Sequence, residues 1–361
     1  MTATDPDTLS VSKASDAAKA RRFALIGRME KWLGALGLPF VAPILKILAG
    51  DPPKAHLRDL WRVLGVPIAS LAIFVLVWAQ LAPLVQTSLG AIPGPGAVLE
   101  QAVNLHQEAL AEAVKEAEFY ARQDEKNAVL IAEGKADQVK DRAYTGKPTY
   151  YEQIWTSIQT VFFGFLIATA VAVPLGIISG LSATANSAIN PLVQLFKPVS
   201  PLAWLPIVTM VVSALYVGGD GSMSKSFIVS AVTVTLCSLW PTLINTALGV
   251  ASIDKDLVNV SKVLKLDLFT KITRLVLPSA LPLIFTGLRL SLGVGWMVLI
   301  AAEMLSQNPG LGKFVWDEFQ NGSSESLAKI LVAVLTIGII GFVLDRVMFA
   351  LQAMFTFQDK R

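Results

Sequence analysis

The chain has 361 residues, of which 53% are hydrophobic and 16% are charged, and its mean hydropathy is +0.58. Because about a quarter of the residues of a soluble domain are charged, this composition excludes an ordinary soluble protein and indicates an integral membrane protein. The formal net charge is only +3 and basic residues are interleaved with acidic ones, so no nucleic-acid partner is predicted. One cysteine and two histidines offer neither a disulfide framework nor a metal site, and we predict no cofactor.

The amino-terminal region is polar and basic up to the first apolar run. Residues 1–20 predict a disordered cytoplasmic tail without a cleavable signal peptide, and residues 21–62 predict an amphipathic region at the membrane interface. Residues 32–48 form a shorter apolar stretch that contains prolines and a lysine. This stretch favours an interfacial helix, with a seventh membrane span as the alternative.

Six apolar segments are long enough to cross a bilayer, whose core of about 30 Å requires about 20 apolar residues in a helix. They are residues 63–85, 155–181, 191–217, 226–250, 275–304 and 327–353. The predicted fold class is therefore an all-α integral membrane protein with about six transmembrane helices. Prolines within these segments, Pro198 and Pro201 among them, predict kinked or broken helices.

Lysine and arginine residues predict the orientation, because they accumulate in cytoplasmic loops. They occur before the first span, in the loop at about 251–274 and in the tail at 354–361. Six spans place these three regions on the same side of the membrane, so both termini are predicted to be cytoplasmic.

The polar residues 86–152 form an insert that then lies on the extracytoplasmic face. A Pro-Gly turn at residues 92–97 precedes a charged helix, Glu100–Lys126, and a second helix is predicted at Ala128–Asp141. The favoured interpretation is a solvated helical hairpin that caps the outer surface. The alternative is a docking platform for a soluble binding partner.

The loop between the fourth and fifth spans predicts a short amphipathic helix after an acidic start. The chain then turns near Lys265 and continues as a second short helix to Pro278. Exposed charges and apolar anchors on one short helix favour a surface that another protein grips. An ordinary surface helix is the alternative.

This loop resembles the signature of type 1 ABC importer permeases, in which Glu-Ala-Ala, three residues, Gly and a later Leu-Pro form coupling helices that bind an ATPase subunit. Lys265 occupies the Gly place and Leu277-Pro278 the Leu-Pro place, but the chain departs from the signature at the acid and the glycine. The resemblance extends over about residues 150–353 and implies a permease domain of five transmembrane helices at 153–353. Asn259, Val260 and Ser261 occupy the Glu-Ala-Ala places. The ATPase-coupling residues that the resemblance implies are Asn259, Val260, Ser261, Leu264, Lys265 and Asp267.

Four further segments are similar to the nitrate/nitrite, cyanate and bicarbonate permeases, which are related to taurine and sulfonate permeases: Ser238–Ala247, Phe285–Arg289, Ala301–Met304 and Phe314–Asp317. This resemblance implies a permease subunit of an ATP-driven importer in the bacterial inner membrane that carries a small inorganic anion. Nitrate is the main interpretation, with nitrite, bicarbonate and cyanate beside it. The implied partners are ABC ATPase subunits, a periplasmic or lipid-anchored substrate-binding protein and a second permease copy in a homodimer. A taurine or alkanesulfonate importer and an ATP-independent channel or secondary transporter are the alternatives.

The chain itself is predicted not to be an enzyme. A phosphate-binding loop needs Gly-x-x-x-x-Gly-Lys-Ser/Thr between a strand and a helix. The nearest match, Gly219–Ser226, has Ser224 in place of the second glycine and follows no predicted strand. ATP hydrolysis is therefore expected on a separate subunit.

Polar side chains inside the spans are candidates for the translocation pathway, because hydrocarbon disfavours them unless they face a cavity or a partner. Arg289, midway along the fifth span, suits an oxyanion, and a structural cation held by backbone carbonyls or a carboxylate is the alternative. Glu303 either lines the pathway or pairs locally. Gln194 and Asn245 either donate hydrogen bonds to the anion or form helix–helix contacts.

Overall fold

The computed structural model describes residues 25, 27, 41–49, 52–87, 90–216 and 223–356. The predicted tail at 1–20, nearly all of residues 21–40, part of the Gly219–Ser226 segment and residues 357–361 lie outside the described residues. The chain divides into two units, one of Leu81–Gly341 and a smaller one of Met1–Gln80 with Phe342–Arg361.

The smaller unit contains most of the first predicted span. Helix α1 is Val41–Leu48, and α2, Pro53–Leu60, continues through a π-helical turn at Trp61–Gly65 into α3, Val66–Leu81. Helix α1 covers only the second half of the stretch predicted at 32–48, since residues 32–40 lie outside the described residues. The interfacial interpretation of that stretch stays a prediction. None of the most apolar window of His56–Leu84 is buried, as expected for a helix that faces lipid.

The larger unit begins with a short hairpin and is otherwise helical. Strands β1 and β2 are Gln86–Thr87 and Gly90–Ala91, paired antiparallel. The helices are α4 Pro95–Ala132, α5 Tyr150–Leu181, α6 Ala183–Phe196, α7 Pro201–Leu215, α8 Lys225–Ala251, α9 Lys255–Val263, α10 Leu268–Lys271, α11 Leu277–Ser306, α12 Leu311–Asn321 and α13 Ser324–Thr356, which runs on into the smaller unit. A π-helical turn at Ile272–Val276 joins α10 to α11.

Five predicted spans are confirmed as helices long and apolar enough to cross a membrane: His56–Leu84, Tyr150–Leu181, Lys225–Ala251, Leu268–Ser306 and Glu325–Phe355. The third, predicted at 191–217, is two helices, α6 and α7, bent by 102°. Pro198 and Pro201 interrupt the helix because they lack an N–H donor. Ser200 then starts α7, its Oγ accepting a hydrogen bond from the Leu202 N–H at 3.3 Å. Counting the bent pair as one span gives six spans among the described residues.

Helix α8 packs closely against α5 and α11 in the middle of the larger unit. A Cβ atom added at Gly164 of α5 would lie 2.7 Å from a backbone oxygen of α8, and one added at Gly176 would lie 2.6 Å from Cβ of Thr246. Thr235 Oγ1 donates a hydrogen bond across the same contact to the Gly164 carbonyl, at 3.0 Å. Small residues and buried hydroxyl groups therefore hold α5 against α8, as is usual between membrane helices.

The second helix predicted at Ala128–Asp141 is wrong. Helix α4 is a single helix of 38 residues that includes Ala128 and ends in a Schellman motif at Gly134, which has a φ of 74°. Beyond a short 3-10 turn at Ala136–Gln138, the chain returns along α4 without a helix. The insert is therefore one long helix with a non-helical return segment.

Hydrogen bonds to α4 hold the return segment in place. Gln123 Nε2 donates to Asp141 Oδ1 at 2.9 Å, and Tyr144 OH donates to Glu112 Oε1 at 2.7 Å. Hydrogen bonds from Tyr144 and then Lys115 lower the pKa of Glu112, and the bond to Glu112 raises the pKa of Tyr144. These contacts across the insert replace the backbone bonds that a second helix would have made.

Candidate functional site

Helix α9 of the 251–274 loop presents an apolar stripe outward. Asp254 caps its first turn by accepting a hydrogen bond from the Asp256 N–H at 2.9 Å. Leu257, Val260 and Leu264 recur at helical spacing and are 45%, 54% and 63% exposed, whereas Ser261 is buried. A short surface helix normally buries its apolar stripe against its own core. The reversed arrangement leaves the apolar stripe of α9 exposed.

Lys265 ends this helix in the left-handed conformation, with a φ of 47°. Its N–H donates to the Lys262 carbonyl at 3.1 Å, and the Leu266 N–H donates to the Ser261 carbonyl at 3.1 Å. These two bonds form a Schellman motif, which usually has glycine at the left-handed position. The left-handed conformation at this position therefore explains why the permease signature has glycine there. Lys265 adopts the same left-handed conformation at a cost of about 1–2 kcal/mol.

The loop then enters the fifth span without a break. Asp267 caps α10, accepting a hydrogen bond from the Thr270 N–H at 3.1 Å. Hydrogen bonds from Thr270 lower the pKa of Asp267, and the bond from its side chain has a larger effect than the bond from its N–H. Leu268 and Phe269 are 71% and 75% exposed and extend the apolar surface of α9 past the turn. The predicted turn at Lys265 is confirmed, but Pro278 lies inside a continuous helical stretch rather than at its end.

A buried apolar cluster connects this loop to the transmembrane helices. Val250, Val276 and Ile284 are buried together, and Ile253 and Ile272 at the two ends of the loop pack against them. The two ends of the loop are therefore anchored on the apolar core at α8 and α11.

Glu303 is fully buried near the end of α11 and is hydrogen-bonded within the chain. Ser157 Oγ of α5 lies 2.8 and 3.0 Å from its two oxygens, and the Gly312 N–H donates to Oε2 at 3.0 Å. The Leu311 N–H donates in turn to Ser157 Oγ at 2.8 Å. A Cβ added at Gly310 would lie 2.2 Å from Oε1 of Glu303. Glu303 and Ser157 thus cap the amino terminus of α12 and join it to α5.

The other candidates for the pathway lie on separate helices. Arg289 is half-buried. Gly287 and Ser291, two residues before and after it, face α8. Residues two positions apart lie on opposite sides of a helix, so Arg289 projects from the side of α11 that faces away from α8. Arg289 and Glu303 are 14 residues apart on one helical stretch, which is about 21 Å. Asn245 Nδ2 donates to the Pro241 carbonyl at 2.8 Å on its own helix. The structure does not bring these residues into one site.

Gln194 lies exposed on α6, the first half of the bent third span. Its Nε2 donates to Asn190 Oδ1 at 3.3 Å, one turn earlier.

Three aromatic side chains lie together at the bend of the third span, and the sequence did not predict this group. Phe196, the last residue of α6, lies with its ring centroid 5.7 Å from Trp204 of α7 and 6.1 Å from Trp240 of α8. Trp240 also packs against the cluster of Ala172, Val193 and Leu243. The prolines of the loop predicted a break here, but not which side chains of α8 lie against it.

Residues 172–356, about half of the chain, match the family described as "Binding-protein-dependent transport system inner membrane component". The chain belongs to that family. It is therefore a multi-pass membrane permease subunit with the helical fold of this family, and the resemblance noted from the loop signature is confirmed.

Several curated relatives are nitrate or bicarbonate permeases. The nitrate import permease protein of Leptolyngbya laminosa is 34% identical over 220 residues, which cover 60% of this chain and 74% of that protein. The bicarbonate transport system permease protein of Synechococcus elongatus is 37% identical over 207 residues, which cover 57% of this chain and 69% of that protein. Among solved structures, the inward-facing methionine ABC transporter is a neighbour with a TM-score of 0.46 and 14% identity, over 56% of this chain and 98% of that one.

Proposed function

We propose that this subunit forms the membrane pathway of an ATP-driven importer of nitrate. Two relatives support a small anion as the cargo, one a nitrate import permease at 34% identity and one a bicarbonate permease at 37% identity. Bicarbonate is the second candidate, because that relative is as similar as the first. Arg289, midway along its span, supports the choice of an anion, since a guanidinium binds a planar oxyanion by two parallel hydrogen bonds.

The outward apolar stripe of α9 is the observation that best supports an ATP-driven mechanism, because it offers a docking surface for an ATPase subunit. Val260 and Leu264 form this stripe with Leu257, and Leu268 and Phe269 extend it, in a loop whose ends pack on the transmembrane core. A separate ATPase subunit that covers this surface would transmit its closure to α8 and α11. In this proposal Asn259, Ser261, Lys265 and Asp267 shape the docking surface.

The remaining partners and the orientation follow from the same proposal. The loop and both termini face the cytoplasm, and the insert faces the outside, where a periplasmic or lipid-anchored binding protein delivers the anion. A second copy of the chain completes the pathway as a homodimer.

Nitrate uptake by whole cells tests the substrate. We expect a strain that lacks its own nitrate importers to take up nitrate from micromolar medium when it expresses this chain with its ATPase and binding protein. An excess of unlabelled nitrate should compete fully, and taurine at the same concentration should not. If taurine competes fully and bicarbonate does not, the cargo is a sulfonate.

A further inference from the structure

Two buried tryptophan N–H groups at the bent third span lack a hydrogen-bond partner within the described part of the chain. They are Nε1 of Trp204, in the first turn of α7, and Nε1 of Trp240, in α8. The buried indole of Trp296 differs, since its Nε1 donates to the Ile337 carbonyl at 3.0 Å. A buried N–H without a partner is destabilising, so each such group needs an explanation such as a bound water or ligand. Among the buried side-chain atoms without a partner in the described residues, these two are the indole donors beside the bend.

The chemistry of these donors limits the ligand to a hydrogen-bond acceptor. An indole N–H only donates, so it offers nothing to a cation or to another donor. The surroundings are apolar and aromatic: Phe196 contacts both rings, and Val193 and Leu243 pack near Trp240. Neutral donors in apolar surroundings stabilise an anion without the strong attraction of a buried lysine or arginine. Such a site suits an ion that must bind and then leave.

The position also suits a step in transport. Trp240 is the sixteenth of the 27 residues of α8, so it lies about 22 Å from one end of the helix and about 16 Å from the other. The chain beside it is the bend of 102° between α6 and α7. Irregular backbone at membrane depth is tolerated where it is buried in protein or lines a water-filled cavity.

We propose that the indole N–H groups of Trp204 and Trp240, which are closed to solvent in this structure, contact the transported anion at the bend of the third span when the helices around the bend move apart during transport. The ligand class is a small inorganic anion with unprotonated acceptor oxygens. This inference rests on the proposed function, and it adds the residues that donate to the cargo near the middle of the membrane.

Replacement of each tryptophan by phenylalanine tests the proposal, because it removes the N–H and keeps an aromatic ring. The assembled importer is reconstituted in proteoliposomes for uptake, and its melting temperature is measured with sodium nitrate and with sodium gluconate at equal ionic strength. W204F and W240F should each lower nitrate uptake about tenfold, the loss expected from one hydrogen bond of about 1.4 kcal/mol. Both should raise the melting temperature in gluconate by about 2–4 °C, since an unsatisfied donor is gone, and should reduce the stabilisation by nitrate.

W296F is the matched control. It removes an N–H that is already bonded, so it should lower the melting temperature in gluconate and leave the stabilisation by nitrate unchanged. The proposal is overturned if W204F and W240F transport at the wild-type rate, or if they lose stability as W296F does. The second result would mean that protein groups, such as carbonyls of a second copy, already satisfy the two donors. A wild-type importer that takes up no nitrate would instead contradict the proposed function.

Discussion

Replacing Val260 and Leu264 by aspartate should abolish binding of the ATPase subunit while the permease still inserts and folds. Both residues are more than half exposed on the apolar stripe of α9, so the substitutions disturb little packing within the chain. In the assembled importer the two side chains would be covered. Losing their burial and desolvating two carboxylates should weaken binding by about 4 kcal/mol or more, which is roughly a thousandfold in Kd. Co-purification of the ATPase with the tagged permease measures this.

Leu110 provides the control for the effect of placing aspartate at any exposed apolar position. It is 56% exposed on α4, in the insert, which faces away from the cytoplasm in the proposed orientation. Leu110→Asp should therefore leave the ATPase at its wild-type ratio. If the Val260→Asp, Leu264→Asp double variant also retains that ratio, the 251–274 loop is not the docking surface.

Replacing Glu303 by leucine should destabilise the permease strongly. The change leaves the Ser157 hydroxyl and the Gly312 N–H without their buried acceptor. Each unsatisfied buried donor costs about 1–3 kcal/mol, so the expected loss is about 2–6 kcal/mol in the free energy of unfolding. The melting temperature of the purified chain in detergent should fall by several degrees.

Two variants separate the hydrogen-bonding role of Glu303 from a general effect of losing an acid. Glu303→Gln keeps one acceptor oxygen and should lose only part of the stability. Glu100→Leu removes an exposed acid of α4 and should change the melting temperature little. A Glu303→Leu permease that is as stable as the wild type but does not transport would instead support a role in the pathway.

The spans were predictable because long apolar runs are a strong local signal. Five of the six predicted segments agree with observed helices, although the first begins at His56 and the fifth at Leu268, each seven residues before its predicted start. The earlier start of the fifth is a tertiary effect: Ile272 and Val276 pack in a buried cluster and continue the helix through Pro278.

Side-chain partners far apart in sequence were not predictable. Glu303 and Ser157 are 146 residues apart, and nothing in either local pattern connects them. The return segment of the insert has the composition of a helix, but hydrogen bonds from Gln123 and to Glu112 stabilise a non-helical chain instead. The turn near Lys265 was predictable from the loop pattern, but its left-handed conformation was not, since lysine seldom adopts that conformation.

The most direct test is nitrate accumulation by proteoliposomes that contain this chain, its ATPase and its binding protein. Nitrate should accumulate above the external concentration only when the ATPase can use ATP, and the Val260→Asp, Leu264→Asp double variant should accumulate none. Equilibration of nitrate through the chain alone, at the same rate with and without ATP, would contradict the account and identify a channel or a secondary transporter instead.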